Sequence, residues 1–288
     1  TGKGFSVTSA KMKSQNTFTA WDFDYVWEID GSTNSGYPYL QLPITDTRED
    51  IELEGSGNEI DPYIITNETE LIALARGELI NSFTAYYQLA NDITVTSDYW
   101  TPIGGNGRDY FSGTFDGNGH TISGIKLSQA AFEYSGLFGI VSGTVKNLGV
   151  DVKISGTGTA GALAGYVYEG TVEYCYSSGA VSGTSGYTGG LIGYIRNATV
   201  HDCYSVATVT NTNSNGNTGG LVGNMFSNNV CTIKDCYAAG TVTSASSYRS
   251  GGIVGSQGGG SNNVLGCYYN SSTTKQSDTG LSLIHISE

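Results

Sequence analysis

Charge is scarce in this chain: Asp, Glu, Lys and Arg make up 14% of 288 residues, with 13 basic side chains against 26 acidic ones. That balance excludes a basic surface for nucleic acid and a polybasic contact with anionic lipid. Long apolar runs are missing too, so no segment reads as a membrane-crossing helix. The first residues show no basic stretch followed by an apolar one, and the chain reads as mature, excised or a fragment. Proline is rare, at four, and histidine rarer, at three. What fills the chain instead is 42 glycines, 20 tyrosines and abundant Thr, Ser, Asn and Val, a composition of short strands joined by tight turns. The length is enough to bury a core without disulfides or metal. The broad expectation is a secreted all-β protein.

A Gly-apolar-x-Gly core recurs along the chain. It stands at Gly136-Leu137-Phe138-Gly139, Gly190-Leu191-Ile192-Gly193, Gly220-Leu221-Val222-Gly223 and Gly252-Ile253-Val254-Gly255, with Ala162-Leu163-Ala164-Gly165 as a variant. Steps between the central apolar residues are 26, 28, 30 and 32 residues. Behind each copy, Leu148, Cys175, Cys203, Cys236 and Cys267 occupy one equivalent place. Val145, Val172, Val200, Ile233 and Val264 precede them, and Ile154, Val181, Val209 and Val242 follow the first four. The extra length of later copies falls in polar loops such as residues 211–218. A unit this short cannot bury its own apolar face, but stacked copies can. The expected architecture is therefore a parallel, right-handed β-helix or β-solenoid rising about 4.8 Å per coil. Its Leu, Val and Cys ladders lie inside, and its glycines mark positive φ or close backbone approach.

The Gly-Leu-x-Gly signal followed by Val-x-x-Cys-Tyr resembles the GLUG motif repeat of bacterial surface adhesins and of non-catalytic regions of some secreted peptidases. Upstream, residues 61–75, 86–95, 100–104 and 111–125 resemble the segment that leads into such repeats. The resemblance covers most of residues 55–280 and implies a β-solenoid, cell-surface adhesion and no catalytic residues. Independently, Asn67 with Glu70 forms a capping-box-like start, and Leu71, Ile72, Leu74 and Ala75 give a short helix an apolar face that covers the first coil.

The ends define a domain order. Residues 1–43 resemble the closing segment of a preceding module, residues 44–54 an acidic linker, and residues 55–280 a solenoid whose segment 55–125 is its cap. Residues 281–288 depart from the expected continuation and read as a truncated or artefactual tail. Thr279-Gly280 matches Thr1-Gly2, as in a tandem array cut out of phase. Either the chain is one period of a stalk, or residues 1–43 complete a neighbour's open coil and build a head-to-tail filament.

Residues with possible chemistry carry bland readings beside the sharp ones. Gly156 to Gly161 satisfies G-x-G-x-x-G, but a dinucleotide site needs a helix to follow, and another repeat follows instead. His120, His201 and His285 lie apart, without metal-ligand spacing, and read as solvated. Asp116-Gly117-Asn118-Gly119 reads as a hairpin turn with a weak Ca²⁺ alternative. Stacked Cβ vectors are parallel, so the ladder cysteines read as small buried hydrophobes, with Cys231 the exception to watch. Glu173, Asp202 and Asp235 fall close in register, but with Lys153, Arg196, His201 and Lys234 nearby they read as a solvated face rather than a glycosidase pair. Tyr176, Tyr204, Tyr237 and Tyr268 point outward by alternation, able to stack on sugar rings or simply to cover a strand. Thr208-Val209-Thr210 and Thr241-Val242-Thr243 make too small an array for ice binding.

The resulting expectation is a non-catalytic extracellular structural or adhesive module, secreted or on a bacterial cell surface. It has no catalytic, cofactor or metal residues, and its partners are copies of itself and, alternatively, glycans or surface proteins. A carbohydrate-active β-helix enzyme is the remaining class.

Overall fold

The computed structural model describes residues 8–14, 18, 27–29, 35, 37–40, 51–79, 81–98, 100–105, 110–128, 132–156, 158–246 and 248–274. The chain divides into two compact units, Thr1–Ile51 and Glu52–Glu288. The first holds a single helical turn, Ser9–Met12, and an antiparallel pair in which Trp27 faces Leu40 and Glu28 faces Tyr39. Most of the expected closing segment and linker, and all of the tail 281–288, lie outside the described residues.

The second unit is a parallel β-solenoid of about seven turns. One coil shows the plan. Ala164–Tyr168 and Thr171–Glu173 run along a long sheet, Tyr176–Gly183 lies in a second sheet, and Tyr187–Gly189 in a third. Each strand pairs in parallel with its equivalent one coil away: Val172 with Val145 and Val200, Val181 with Ile154 and Val209, Thr188 with Ala160 and Thr218. The repeat period of the sequence thus becomes the register of the sheets.

The interior is a set of ladders. Leu137, Leu163, Leu191, Leu221 and Ile253 are fully buried, as are Val145, Val172, Val200 and Ile233. Each such aliphatic side chain contributes roughly 1.5–3 kcal/mol of burial. The helix Glu68–Arg76 adds Leu71, Leu74 and Ala75 to this core. Its cap is built as the sequence indicates. Asn67 Oδ1 accepts from the Glu70 N–H at 3.0 Å, and Glu70 Oε2 accepts from the Thr66 N–H at 2.6 Å. Glu68 ties the helix to the first coil by accepting from the N–H groups of Thr96 and Ser97 at 2.7 and 2.8 Å.

The last glycine of the repeat works through close approach. A Cβ on Gly193 would lie 2.6 Å from Thr159 Cγ2 and 2.7 Å from the Gly165 carbonyl oxygen; on Gly223 it would meet the Gly193 oxygen and the Thr188 nitrogen at 2.6 Å each. At this position the third-sheet strand of one coil presses on the long sheet of the next, backbone to backbone. Positive φ falls elsewhere, at turns such as the corner just before the Cys ladder. Asn147, Tyr174, Asp202 and Asp235 sit there at φ 53°, 54°, 53° and 53°, and Gly266 at 60°. That corner corrects the hairpin reading of residues 116–119. Thr114–Asp116 and Thr121–Leu127 belong to different sheets, so the turn between them is a bend of the coil.

Candidate functional site

Three surface rows and one internal row carry the polar and aromatic chemistry. On the outer face of the long sheet, just before the corner, successive coils place Asp116, Lys146, Glu173, His201 and Lys234 in register. Two contacts between neighbouring coils run along this row. Lys146 Nζ lies 3.6 Å from Asp116, and His201 Nε2 lies 3.0 Å from Glu173. The other imidazole nitrogen of His201 lies 2.8 Å from Asp202 Oδ2 at the corner. Glu173, a strand residue, and Asp202, a corner residue, therefore meet on His201, while Asp235 at the next corner pairs with Lys234 at 3.3 Å. Nor is His201 simply solvated, since it bridges two carboxylates. His120 likewise meets Asp92 at 3.2 Å, and the Thr121 N–H and the His120 ring hold the Asp92 carboxyl below its usual range.

Asp116 Oδ1 accepts from the Asn118 N–H at 2.8 Å and from Asn147 Nδ2 at 3.0 Å, while its second oxygen faces Lys146. With its only carboxylate committed in this way, the turn does not fit Ca²⁺, which needs several free oxygen ligands. Among the described residues, no group of three or more His, Cys, Asp or Glu is placed to hold a metal ion. The segment 156–161 leads into strands Thr159–Ala160 and Ala164–Tyr168, so no helix stands where a dinucleotide would need one.

Past the corner, Tyr176, Tyr204 and Tyr237 stack outside the second sheet. Ring centroids are 5.0 and 4.7 Å apart, with interplanar angles of 6° and 4°. Tyr268 follows in register. At the other end the Tyr176 ring lies over Gly149, and its hydroxyl meets Thr121 Oγ1 at 2.8 Å. Because the rings face one another along the solenoid axis, they present edges and hydroxyls to solvent. Stacking on a sugar needs ring faces, and those between Tyr176, Tyr204 and Tyr237 are already used.

A second aromatic group escaped the sequence reading. Tyr134, from the third sheet, stacks on Tyr166 at 5.2 Å, and Tyr166 on Tyr194 at 4.7 Å on the long sheet, with Tyr187 tilted against Tyr194. Beside them the Arg196 guanidinium lies between the rings of Tyr168 and Phe226, 5.9 and 5.8 Å from their centroids, and Tyr110 packs edge-on to Tyr168. Burial pushes the Tyr134 phenol up to about 12, aided by its hydrogen bond to Glu133. The available signal was the residue three places after the repeat Leu, which is Tyr166 and Tyr194 in successive copies.

The internal row is the cysteines. All five are buried free thiols, Cys231 included. Each ladder thiol reaches the carbonyl two residues before it, Cys175 to Glu173 at 3.2 Å and Cys203 to His201 at 3.1 Å. Burial pushes the Cys203 and Cys231 thiols up, which disfavours the thiolate.

Fold and surfaces together define a β-solenoid repeat protein with laddered polar and aromatic faces. The GLUG motif is present in it, matching residues 184–210. A 140-residue stretch, 45% of the chain, is 32% identical to Halomucin of Haloquadratum walsbyi. A 126-residue stretch, 40% of the chain, is 34% identical to a protein of Evansella cellulosilytica provisionally named a Gly-rich membrane protein. These stretches span only 2% and 14% of those two relatives. Among solved structures, a Bacteroides ovatus protein provisionally called an immunoglobulin A1 protease is similar, with TM-score 0.60 and 25% identity over 75% of this chain and 77% of that one. No described helix is long and apolar enough to cross a membrane.

Proposed function

We propose that this chain is a non-catalytic structural and adhesive module of the cell surface, acting outside the cell as one period of a tandem stalk or as a fibre subunit. The observation that carries the reading is register. Coil after coil contributes an equivalent residue to the same ladder, as Ile154, Val181, Val209 and Val242 do, so the faces of the solenoid repeat about every 4.8 Å. Similarity to proteins named for a mucin and for a membrane location supports a surface setting. In this reading residues 1–43 close a neighbouring module, residues 44–54 link the two, and the partner is another copy, joined covalently or not.

A glycan- or host-protein-binding adhesin is the second reading. The outward group of Tyr110, Tyr168, Arg196 and Phe226 favours it, because a guanidinium between rings is suited to polar ligands with apolar faces. Negative-stain microscopy tests the main reading on the full chain beside a version starting at Asp46. Rods from both support a stalk period, and filaments from the full chain alone support a fibre subunit. Compact particles without rod shape overturn both. Release of reducing sugar or cleavage of immunoglobulin A1 by the purified chain would overturn the non-catalytic part.

A further inference from the structure

We propose that Tyr176, Tyr204 and Tyr237 form an oxidative cross-linking site, at which dityrosine bonds join neighbouring coils of the solenoid. The observation is the stack itself. Three rings on three successive coils lie each within 5.0 Å of the next and within 6° of parallel to it. Their backbones are held in register by the sheet, Tyr176 opposite Tyr204 and Tyr204 opposite Tyr237. Rotation about χ2, a broad and roughly two-fold torsion, turns the ring edges of neighbours toward each other without moving the backbone. The ring carbons beside the hydroxyls are then the atoms brought together.

The stack also has a point of entry. Tyr237 is 43% exposed, whereas Tyr176 and Tyr204 are half-buried. An oxidant in solution reaches Tyr237, and the neighbouring ring supplies the partner. The second stack, Tyr134, Tyr166 and Tyr194, has comparable spacing but no exposed member, and Arg196 engages the Tyr166 phenol. The two stacks therefore differ in access while sharing ring geometry, which makes one the control for the other.

The chemistry needs a co-reactant of the haem peroxidase and hydrogen peroxide class. Each of two phenols loses one electron and one proton to give a phenoxyl radical. The radicals couple through the ring carbons ortho to oxygen (Cε), forming one C–C bond, and each coupled carbon passes its hydrogen to its oxygen, restoring both phenols. Two tyrosines lose two hydrogens in total, and one peroxide is reduced to two waters. The bond joins residues a whole coil apart in sequence, so it resists unzipping of the solenoid as a disulfide would. This inference does not depend on whether the module is a stalk, a fibre or an adhesin.

The test is oxidation of the dilute full chain with peroxidase and peroxide, isolation of the monomer, and peptide mass mapping with dityrosine fluorescence. The expected result is peptide pairs two hydrogens lighter that join Tyr204 to Tyr237 and to Tyr176. Tyr204→Phe keeps the stacked ring and abolishes the monomer's fluorescence, Tyr237→Phe removes the point of entry and abolishes most of it, and Tyr166→Phe leaves it unchanged. Oxidised monomer without dityrosine overturns the proposal. So do cross-links scattered over other tyrosines, such as the 74%-exposed Tyr248, without enrichment in the stack.

Discussion

The backbone N–H of Cys175 donates to the Sγ of Cys203, one coil further on, at 3.4 Å. The same bond recurs from Cys203 to Cys236. Both groups are buried at the corner where the coil leaves one sheet for the next, so this N–H takes its partner from a side chain rather than from a strand carbonyl. The ladder thiol is therefore an acceptor as well as a small apolar filler.

Replacing that acceptor tests the point. Cys203→Ala removes the thiol beside the Cys175 N–H, and an orphaned buried donor costs about 1–3 kcal/mol. Cys203→Ser restores an acceptor and recovers part of the loss. Equal denaturation midpoints for the two variants would show that only volume matters.

Tyr174 occupies the corner at φ 54°, where equivalent coils use Asn147, Asp202 and Asp235. The left-handed conformation costs most side chains about 1–2 kcal/mol, and Asn tolerates it through its short polar side chain. Tyr174→Asn is expected to raise stability by about 1 kcal/mol, read by urea unfolding, while Tyr174→Val lowers it. The ring contact with His201 at 5.7 Å is exposed and offsets little of that gain.

Gly193→Ala places a methyl against Thr159, the Gly165 carbonyl and Ala160. Overpacking of this kind costs roughly 1–3 kcal/mol, more where backbone must yield. Gly119→Asn is the contrast, because a Cβ there meets nothing within 4 Å and Asn accepts the positive φ of 83°. A thermal shift for Gly193→Ala no larger than that for Gly119→Asn would contradict the packing account.

Acid should loosen the helix from the first coil. Burial pushes the Glu68 carboxyl up, but the Ser97 N–H together with the Thr96 hydroxyl and N–H outweighs it, and the net shift is downward from 4.5. A depressed folded value means that the contribution is present above the unfolded value and fades as pH falls from about 4.5 through the lower folded one. Glu68→Gln should therefore be less stable than the parent at pH 7, with the gap narrowing below pH 4. Hydrogen exchange at Thr96 and Ser97 reads the change, and a gap independent of pH would sink it.

The sequence by itself determined the stacking. Leu191, Val200, Cys203 and Val209 recur with their equivalents in the same order in successive copies, and only parallel coils bring such residues into single buried ladders. The helix start at Asn67 was legible for a similar reason, since a cap acts within a few residues. Tertiary structure decided what depends on distances between coils. It separated the repeat glycines, which serve close approach, from the corner residues, which carry positive φ. It gave His201 to Glu173 and Asp202, turned the Tyr176 row face to face, and assembled Tyr168, Arg196 and Phe226 from three coils. Periodicity places residues on a face, but the corner conformation and the few ångströms between neighbouring coils decide which of them touch.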